Sequence, residues 1–471
     1  MINSYLRDQV IQNFLHTPTE SQFLALNILC EFLLSREKDL LFLLTGYAGT
    51  GKTSLVGALV KTLSNLKQST VLLAPTGRAA KVFSAYAGQK ANTIHRKIYR
   101  QKTFGNENAA FTAAYNGYRN TLFVVDEASM ISNGGLDSSV FGSGRLLDDL
   151  IHYIYSGENC RLLLMGDMAQ LPPVTQSLSP ALNVEVLKGY GLSVFETSLT
   201  QVVRQDYQSG ILLNATMLRD CLRMNRVDVF PKMSVKGFDD LCLLSGEDLI
   251  DAIASLYDRD GLEETMVITR SNKRVNIYNN GIRNRVLYRE EELSSGDRLM
   301  VVKNNYFWKS DGKQTDFIAN GELLEVLRVR HVTELYGFRF ADVLIRFQND
   351  GEELEVKILL DTLHSDSPAL PREANDHLFS AILEDYTDIS SQSEKMKKIK
   401  VDAYYNALQV KYAYAMTCHK AQGGQWMNVF LDIGYITEEM LGEDFYRWLY
   451  TALTRATHRV FFINLPKEFQ M

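Results

Sequence analysis

"GYAGTGKTS" (46–54) sits between two segments of different habit. Before it, "DLLFLLTG" (39–46) is apolar on consecutive residues, as a strand buried on both faces is. After it, "LVGALVKTL" (55–63) continues as a helical run. The stretch fits G-x-x-x-x-G-K-[ST] in the strand–loop–helix setting that this pattern requires. Gly46, Gly49 and Gly51 let backbone N–H groups turn towards phosphate oxygens at a helix N-terminus, a cradle that Ser54 also joins. Lys52 brings a point charge to the terminal phosphates, and the Thr53 hydroxyl suits a magnesium ion. A chance glycine-rich turn would not satisfy both the fixed residues and their context. The expected cofactors are ATP and Mg²⁺.

Three more apolar runs follow: "TVLLAPT" (70–76), "TLFVVDE" (121–127) and "RLLLMGD" (161–167). Each ends in small or acidic residues, the pattern of a parallel sheet with function at the C-terminal ends of its strands. The second run delivers Asp126 and Glu127 to a strand end beside the P-loop. Asp126 there is a magnesium partner, and Glu127 orients or deprotonates an attacking water. The third leads into "LLLMGDMAQLPPV" (162–174), where Gln170 could sense a γ-phosphate or simply sit in a proline-terminated loop. These residues alone leave both readings open.

A second set of similar runs appears later: "ETMVITRS" (264–271), "YAYAMTCHK" (412–420), "NVFLDIG" (428–434) and "RVFFINL" (459–465). Between the two sets, "ELLEVLRVR" (322–330), "FRFADVLIRFQ" (338–348) and "ELEVKILL" (353–360) alternate at period two, with "NDG" as a hairpin turn. A small antiparallel barrel inserted in the second α/β unit is expected, followed by a connection to about Lys400 with one short helix. A smaller polar insertion lies between "TIHRKIY" and "TLFVVDE" and carries Phe104, Phe111, Tyr115 and Tyr118. Phe104 or Phe111 could cap a wedge-like hairpin or form a satellite core. Tyr306, Phe307 and Trp308 could stack on bases, though packing is the favoured reading.

The chain has 471 residues, more than one core usually serves, so two or three domains are expected. Its five cysteines are scattered and odd in number, which argues against a disulfide framework and against a zinc module. No signal pattern or membrane-length apolar run is evident, so a cytoplasmic protein is expected. Net charge is −6, so any affinity for nucleic acid must come from a local channel rather than a global field. "HRKIYRQK" (95–102), "RSNKRVNIYNNGIRNR" (270–285) and "KMKKIK" (395–400) are local basic clusters; unaided, a solvated helix face is the favoured reading.

The ordered set of motifs resembles superfamily 1 helicases of the RecD/Dda-like group over nearly the whole chain. "PTESQFLAL" (18–26) resembles the Q motif, "APTGRAAKVF" (74–83) motif Ia, and "NTIHRKI" (92–98) the DNA-contacting segment after it. "DEASM" and "GDMAQLPPV" resemble motifs II and III, and "LTQVVRQ" (199–205) motif IV. "GDRLMVVKNNY" (296–306) and "FIANGE" (317–322) resemble signatures leading into an SH3-like barrel. "YAMTCHKAQG" (414–423) resembles motif V, and "LYTALTRATH" (449–458) motif VI.

That resemblance implies an α/β fold of two RecA-like P-loop NTPase domains, with a β-hairpin insertion in the first and an SH3-like β-barrel insertion in the second. The expected boundaries are 1–195 with a hairpin at about 97–119, then 196–320 with 401–471, and an inserted segment 321–400. The resemblance also implies that Gln22 reads adenine, that Gln170 and Arg204 reach the γ-phosphate, and that Arg455 is an arginine finger. It assigns Thr417, His419 and Gln422 to DNA or interdomain contacts, with Gly423 permitting close backbone approach to phosphate. Thr76, Arg78, His95, Arg270, Asn272 and Lys273 are candidates to line a DNA channel. Cys418 is read as a small buried residue rather than a nucleophile. A monomer moving 5′ to 3′ on single-stranded DNA and acting at single–double-strand junctions is expected, with single-strand-binding, repair or replication proteins as partners and no membrane. The alternatives are an ATPase that remodels nucleoprotein without separating strands, and an RNA helicase.

Overall fold

Strands that are apolar on consecutive residues need cover on both faces. The computed structural model, which describes residues 2–14, 16–101, 111–134, 142–202, 209–309, 317–348 and 351–471, supplies it in two sheets. In the first half, β1 (Leu40–Gly46), β2 (Thr70–Ala74) and β3 (Ala91–Thr93) precede a hairpin of β4 (Tyr99–Gln101) and β5 (Phe111–Ala113). Then come β6 (Leu122–Val125), β7 (Arg161–Gly166) and β8 (Ser193–Leu199). All but the hairpin form a parallel sheet in the order β3-β2-β6-β7-β1-β8. The loop after β1 therefore leaves between the ends of β7 and β8, close to the acidic pair after β6. β8 runs across the expected division at 195, because β1 takes it residue for residue from Leu40↔Ser193 to Gly46↔Leu199.

The second half contributes β9 (Leu241–Leu244) and β10 (Thr265–Thr269), then β11 (Arg298–Val301), β12 (Leu323–Leu335), β13 (Phe338–Phe347), β14 (Glu353–Leu359) and β15 (Leu408–Tyr412). It ends with β16 (Ala415–Thr417), β17 (Trp426–Asp432) and β18 (Ala456–Ile463). β16-β10-β17-β18-β9 is a second parallel sheet, and β11 to β15 close a barrel. The barrel draws a strand from each side of the expected 321–400 insertion. Closure leaves no edge unpaired, so β15 bonds antiparallel to β11 and, briefly, parallel to β14. Two helices, Arg372–Glu384 and Gln392–Lys400, form where one was expected. They bury Leu378, Ile382 and Ile399 against Phe338 and Phe340 of the barrel.

The aromatic questions resolve as packing. The Phe111 ring is buried and lies 4.5 Å from Tyr306 and 6.2 Å from Phe317, which docks the hairpin onto the second half of the chain. Trp308 donates Nε1–H to the Asn406 carbonyl at 2.8 Å, and Phe307 packs edge-on against it. Phe104 lies outside the described residues.

Candidate functional site

The loop after β1 turns into the helix Lys52–Asn65 through Gly51, whose φ of 79° an L side chain rarely adopts. A Cβ at Gly51 would also sit 2.7 Å from Gln22 Nε2. Gln22 is fully buried: its carbonyl accepts from Thr19 N (3.0 Å) and its amide donates to the Thr50 carbonyl (2.9 Å). It lines the cavity, yet what the structure displays is a buttress that ties the preceding helix to the P-loop. Gly46, expected at the phosphates, does not line the cavity. Its Cβ position is closed by Thr50 Oγ1 and Leu199, so the loop itself and β8 leave room only for glycine there.

The cavity, about 320 Å³, draws Gly49, Gly51, Lys52, Thr53, Ser54, Asp126, Glu127 and Gln170 from the first domain. Gly423, Gln425, Thr454 and Arg455 come from the second. Lys52 Nζ donates to the Gly46 and Tyr47 carbonyls at 2.6 and 2.9 Å. Thr53 Oγ1 donates to Asp126 Oδ2 (3.0 Å), and Asp126 Oδ1 accepts the Glu127 backbone N–H (2.8 Å). Burial raises both carboxyl pKa values; the Glu127 N–H and Lys52 oppose this at Asp126, and Arg455 opposes it at Glu127. Glu127 is held at φ 54°, a left-handed conformation that is strained for a non-glycine residue and recurs at functional sites.

Arg455 is 3% exposed, with Nε donating to the Thr451 carbonyl (3.1 Å) and Nη1 to that of Gly424 (3.3 Å). Nη1 also lies 3.9 Å from Glu127 Oε1. The Gln170 side chain is buried, and its Oε1 accepts no hydrogen bond among the described residues. An orphaned amide oxygen, a glycine cradle, a lysine and a hydroxyl–carboxylate pair fit a nucleotide with its hard cation. Arg204 lies outside the described residues.

Sequence reading missed the link between the halves. Tyr450, on the helix Glu443–Leu453, accepts from the Ala48 backbone N–H (2.9 Å) and donates to Asp167 Oδ2 (2.7 Å). Next to it, Thr451 Oγ1 accepts from Leu171 N at 2.9 Å. Gln422 Nε2 donates to the Leu171 carbonyl at 2.7 Å. The segment 167–171 is thus gripped by the second domain, and Arg447 Nη1 adds bonds to the Met168 and Gln170 carbonyls.

A groove of about 630 Å³ adjoins the cavity. Thr76, Arg78 and His95 line one wall, and His419, Lys420 and Asn320 the other. It continues through Pro172–Gln176 into a second hollow of about 680 Å³ that includes Arg270. Arg78 stacks over the Trp426 ring at 4.0 Å; burial, then Arg298, lowers its pKa to about 9, so it stays charged at neutral pH. Burial lowers the His95 pKa to about 4, so that ring is neutral across the physiological range. Lys420, which donates to Asn320 Oδ1 at 2.7 Å, was not singled out from sequence. Asn272 and Lys273 occupy the first turn of the helix Asn272–Arg285, and Thr417 caps the helix Cys418–Ala421; none of the three lines the groove. Gly423, at φ 73°, is where the second domain meets the first: a Cβ would lie 2.8 Å from that of Ala79. Cys418 is buried, its thiol pKa pushed up to about 12 by desolvation. Among the described residues, no helix is long and apolar enough to cross a membrane.

A P-loop with an acidic pair on one parallel sheet and a buried arginine from the next define a two-domain P-loop NTPase. Residues 29–220 match the AAA domain, and 412–463 match the UvrD-like helicase C-terminal domain. The chain is 25% identical over 475 residues to the ATP-dependent DNA helicase dda of Enterobacteria phage T4, covering 94% of this chain and 99% of that one. It is 24% identical to the ATP-dependent RecD2 DNA helicase of Deinococcus radiodurans over 92% of this chain and 48% of the relative. A solved Bacteroides Pif1 helicase, in complex with ADP-AlF3 and ssDNA, aligns with 97% of this chain and 95% of its own at 15% identity and a TM-score of 0.48. The two domain models and the helicase relatives agree with the superfamily 1 arrangement of the RecD/Dda-like group and support an ATP-hydrolysing enzyme.

Proposed function

We propose that the chain is an ATP-dependent DNA helicase that moves 5′ to 3′ on single-stranded DNA and separates duplex. One observation carries this reading: two segments each have one end in the nucleotide cavity and the other in the groove. Gln170 lines the cavity while Pro172–Gln176 line the groove, and His419, Lys420 and Gln422 line the groove while Gly423 and Gln425 line the cavity. A change at the γ-phosphate therefore has a covalent path of a few residues to the polynucleotide.

In this reading Lys52 and the N–H groups of residues 49–54 hold the ATP phosphates. Glu127, its backbone N–H held by Asp126 and its carboxyl 3.9 Å from Arg455, orients the attacking water. Thr53 and Asp126 would hold Mg²⁺, which neutralises charge on the phosphates when bound. Arg455 stabilises charge on the transferred phosphoryl group only while the cleft is closed, and Gln170 registers whether that group is present. Opening and closing would alternate the grip of Thr76 and Arg78 on one wall with that of His419 and Lys420 on the other. Contacts to the backbone make binding sequence-tolerant and salt-sensitive.

The test is strand displacement with ATP and Mg²⁺ on a duplex carrying one 5′ or one 3′ tail, with Lys52→Ala as the blank. Displacement of the 5′-tailed substrate alone is expected. Displacement of only the 3′-tailed substrate would overturn the direction, and hydrolysis stimulated by DNA without displacement would overturn strand separation. Stronger stimulation by RNA than by DNA of equal sequence would overturn the substrate.

Tyr450→Phe tests the closing step. It strips one hydroxyl from a buried chain and leaves Ala48 N–H and Asp167 Oδ2 each short of a partner, a cost of about 1–3 kcal/mol borne only by the closed arrangement. DNA-stimulated kcat should fall about tenfold or more, as 1.4 kcal/mol implies, with nucleotide affinity little changed. Unaltered steady-state turnover would show that the hydroxyl does not govern closure.

A further inference from the structure

We infer that the first domain carries a second nucleic-acid site, which takes the strand displaced from the duplex by its phosphates and a stacked base. The inference rests on the helicase reading and concerns a cleft of about 570 Å³ that, among the described residues, shares no lining residue with the groove. The helix Ile94–Ile98 stands between the two. Ile94 and Ile98 are fully buried and fix its rotation: His95 lines the groove, while Arg96 and Lys97 line the cleft.

The hairpin that follows is placed in the same way. Register pairs Arg100 with Thr112 and Gln101 with Phe111, so Arg100 and Phe111 point to opposite faces of the stem. The Phe111 face packs on Phe317, itself a lining residue of the groove, and Arg100 lines the cleft. A strand leaving the groove past this stem would meet the cleft on its other face.

The chemistry there suits a single strand. Arg96, Lys97 and Arg100 line the cleft with no carboxylate among its described lining residues, in a chain of net charge −6. Lys97 Nζ is set over the Tyr118 ring, 4.7 Å from its centroid, and donates to that hydroxyl at 2.5 Å. Tyr115 is 80% exposed at the rim. Cations alone would serve an acidic peptide equally well; an exposed ring beside them is the pairing that single strands use, phosphate to cation and base to aromatic face.

The experiment is equilibrium binding, by anisotropy and without ATP, of a fork with both tails against the same duplex with the 5′ tail only. Wild type should bind the fork more tightly. Arg100→Ala with Tyr115→Ala should erase most of that preference, about tenfold for one lost stack, and leave the single-tail affinity and the ATPase stimulated by single strands as they were. Adding Lys97→Ala should reduce the fork's log–log salt slope by roughly 0.7 more, and Lys97→Arg should restore it, which a purely structural role would not do. Equal losses on both substrates, an unchanged fork preference, or an acidic peptide that competes where a free single strand does not would overturn the inference. Because binding is read without hydrolysis, failure here is distinct from failure of the helicase reading, which appears as an ATPase that single-stranded DNA does not stimulate.

Discussion

Arg455→Ala is expected to lower kcat for ATP hydrolysis by roughly 10³- to 10⁵-fold, the range an inserted arginine is worth in other phosphoryl-transfer enzymes. The size follows from where the guanidinium sits. It is buried, held by the Thr451 and Gly424 carbonyls, and faces Glu127 across the cleft at 3.9 Å. Reorganisation at the moment of reaction is therefore small, and the desolvated charge acts at full strength. Its loss has a second consequence. Arg455 is the largest influence holding down the Glu127 pKa against burial, so the carboxyl would rise further and be less available as a base. Nucleotide affinity should change far less than turnover, since Lys52 and the backbone cradle are untouched. Phosphate release at saturating ATP, with nucleotide affinity measured separately, reads the two effects. A fall in kcat below tenfold, or a loss confined to affinity, would place the finger elsewhere. Arg455→Lys should recover only a small part, because an ammonium cannot reproduce the planar fork anchored on two carbonyls.

What was legible in the sequence was local. The P-loop, the Asp126–Glu127 pair and the alternating barrel strands each announce themselves within about ten residues, because strand, loop and helix chemistry is short-ranged. Tyr450 was not legible. Its meaning lies in two partners, Ala48 and Asp167, separated from it by 402 and 283 residues. The same holds for Lys420, which sits inside a quoted motif yet declares itself only where Asn320 completes the wall. Gly46 adds a different lesson: a motif states that glycine is needed, not whether a ligand or the fold needs it, and here the Thr50 hydroxyl of the loop and Leu199 of β8 leave no room for a side chain. The structure closes the barrel with strands on either side of the expected 321–400 insertion. These closing strands are short: β11 (RLMV) shows no period of two, and β15 (LQVKY) alternates over only five residues. Asn272 and Lys273 follow the Ser271 cap in a motif-like stretch, yet neither lines the groove or the hollow that includes Arg270.

Asp297→Asn should be the most damaging single change to the fold outside the nucleotide cavity, at about 3–5 kcal/mol. Asp297 is fully buried where the second domain passes into β11. Its carboxylate takes Arg283 at both oxygens (3.0 and 2.9 Å), Arg289 Nη1 (2.7 Å), the Tyr414 hydroxyl (2.8 Å) and the Ser294 N–H (2.8 Å). The partners come from the helix Asn272–Arg285, from the turn before β11 and from the segment entering β16. One carboxylate thus joins the barrel's first strand to the parallel sheet. An amide of the same shape removes the charge and turns two donors towards two arginines. Arg283, almost wholly buried, is then left as an uncompensated cation, and this penalty, rather than the lost attraction, sets the magnitude. Because the chain has several domains, the effect should appear as an early transition of the second domain and barrel, read by domain-resolved hydrogen exchange or by a split thermal unfolding profile. Removing the carboxylate together with the more deeply buried of its two arginines, as Asp297→Leu with Arg283→Met, should recover part of the loss, since Arg289 keeps some access to solvent. A single variant that unfolds within 1 kcal/mol of wild type, or a double variant no better than the single, would show that the junction is held by packing instead.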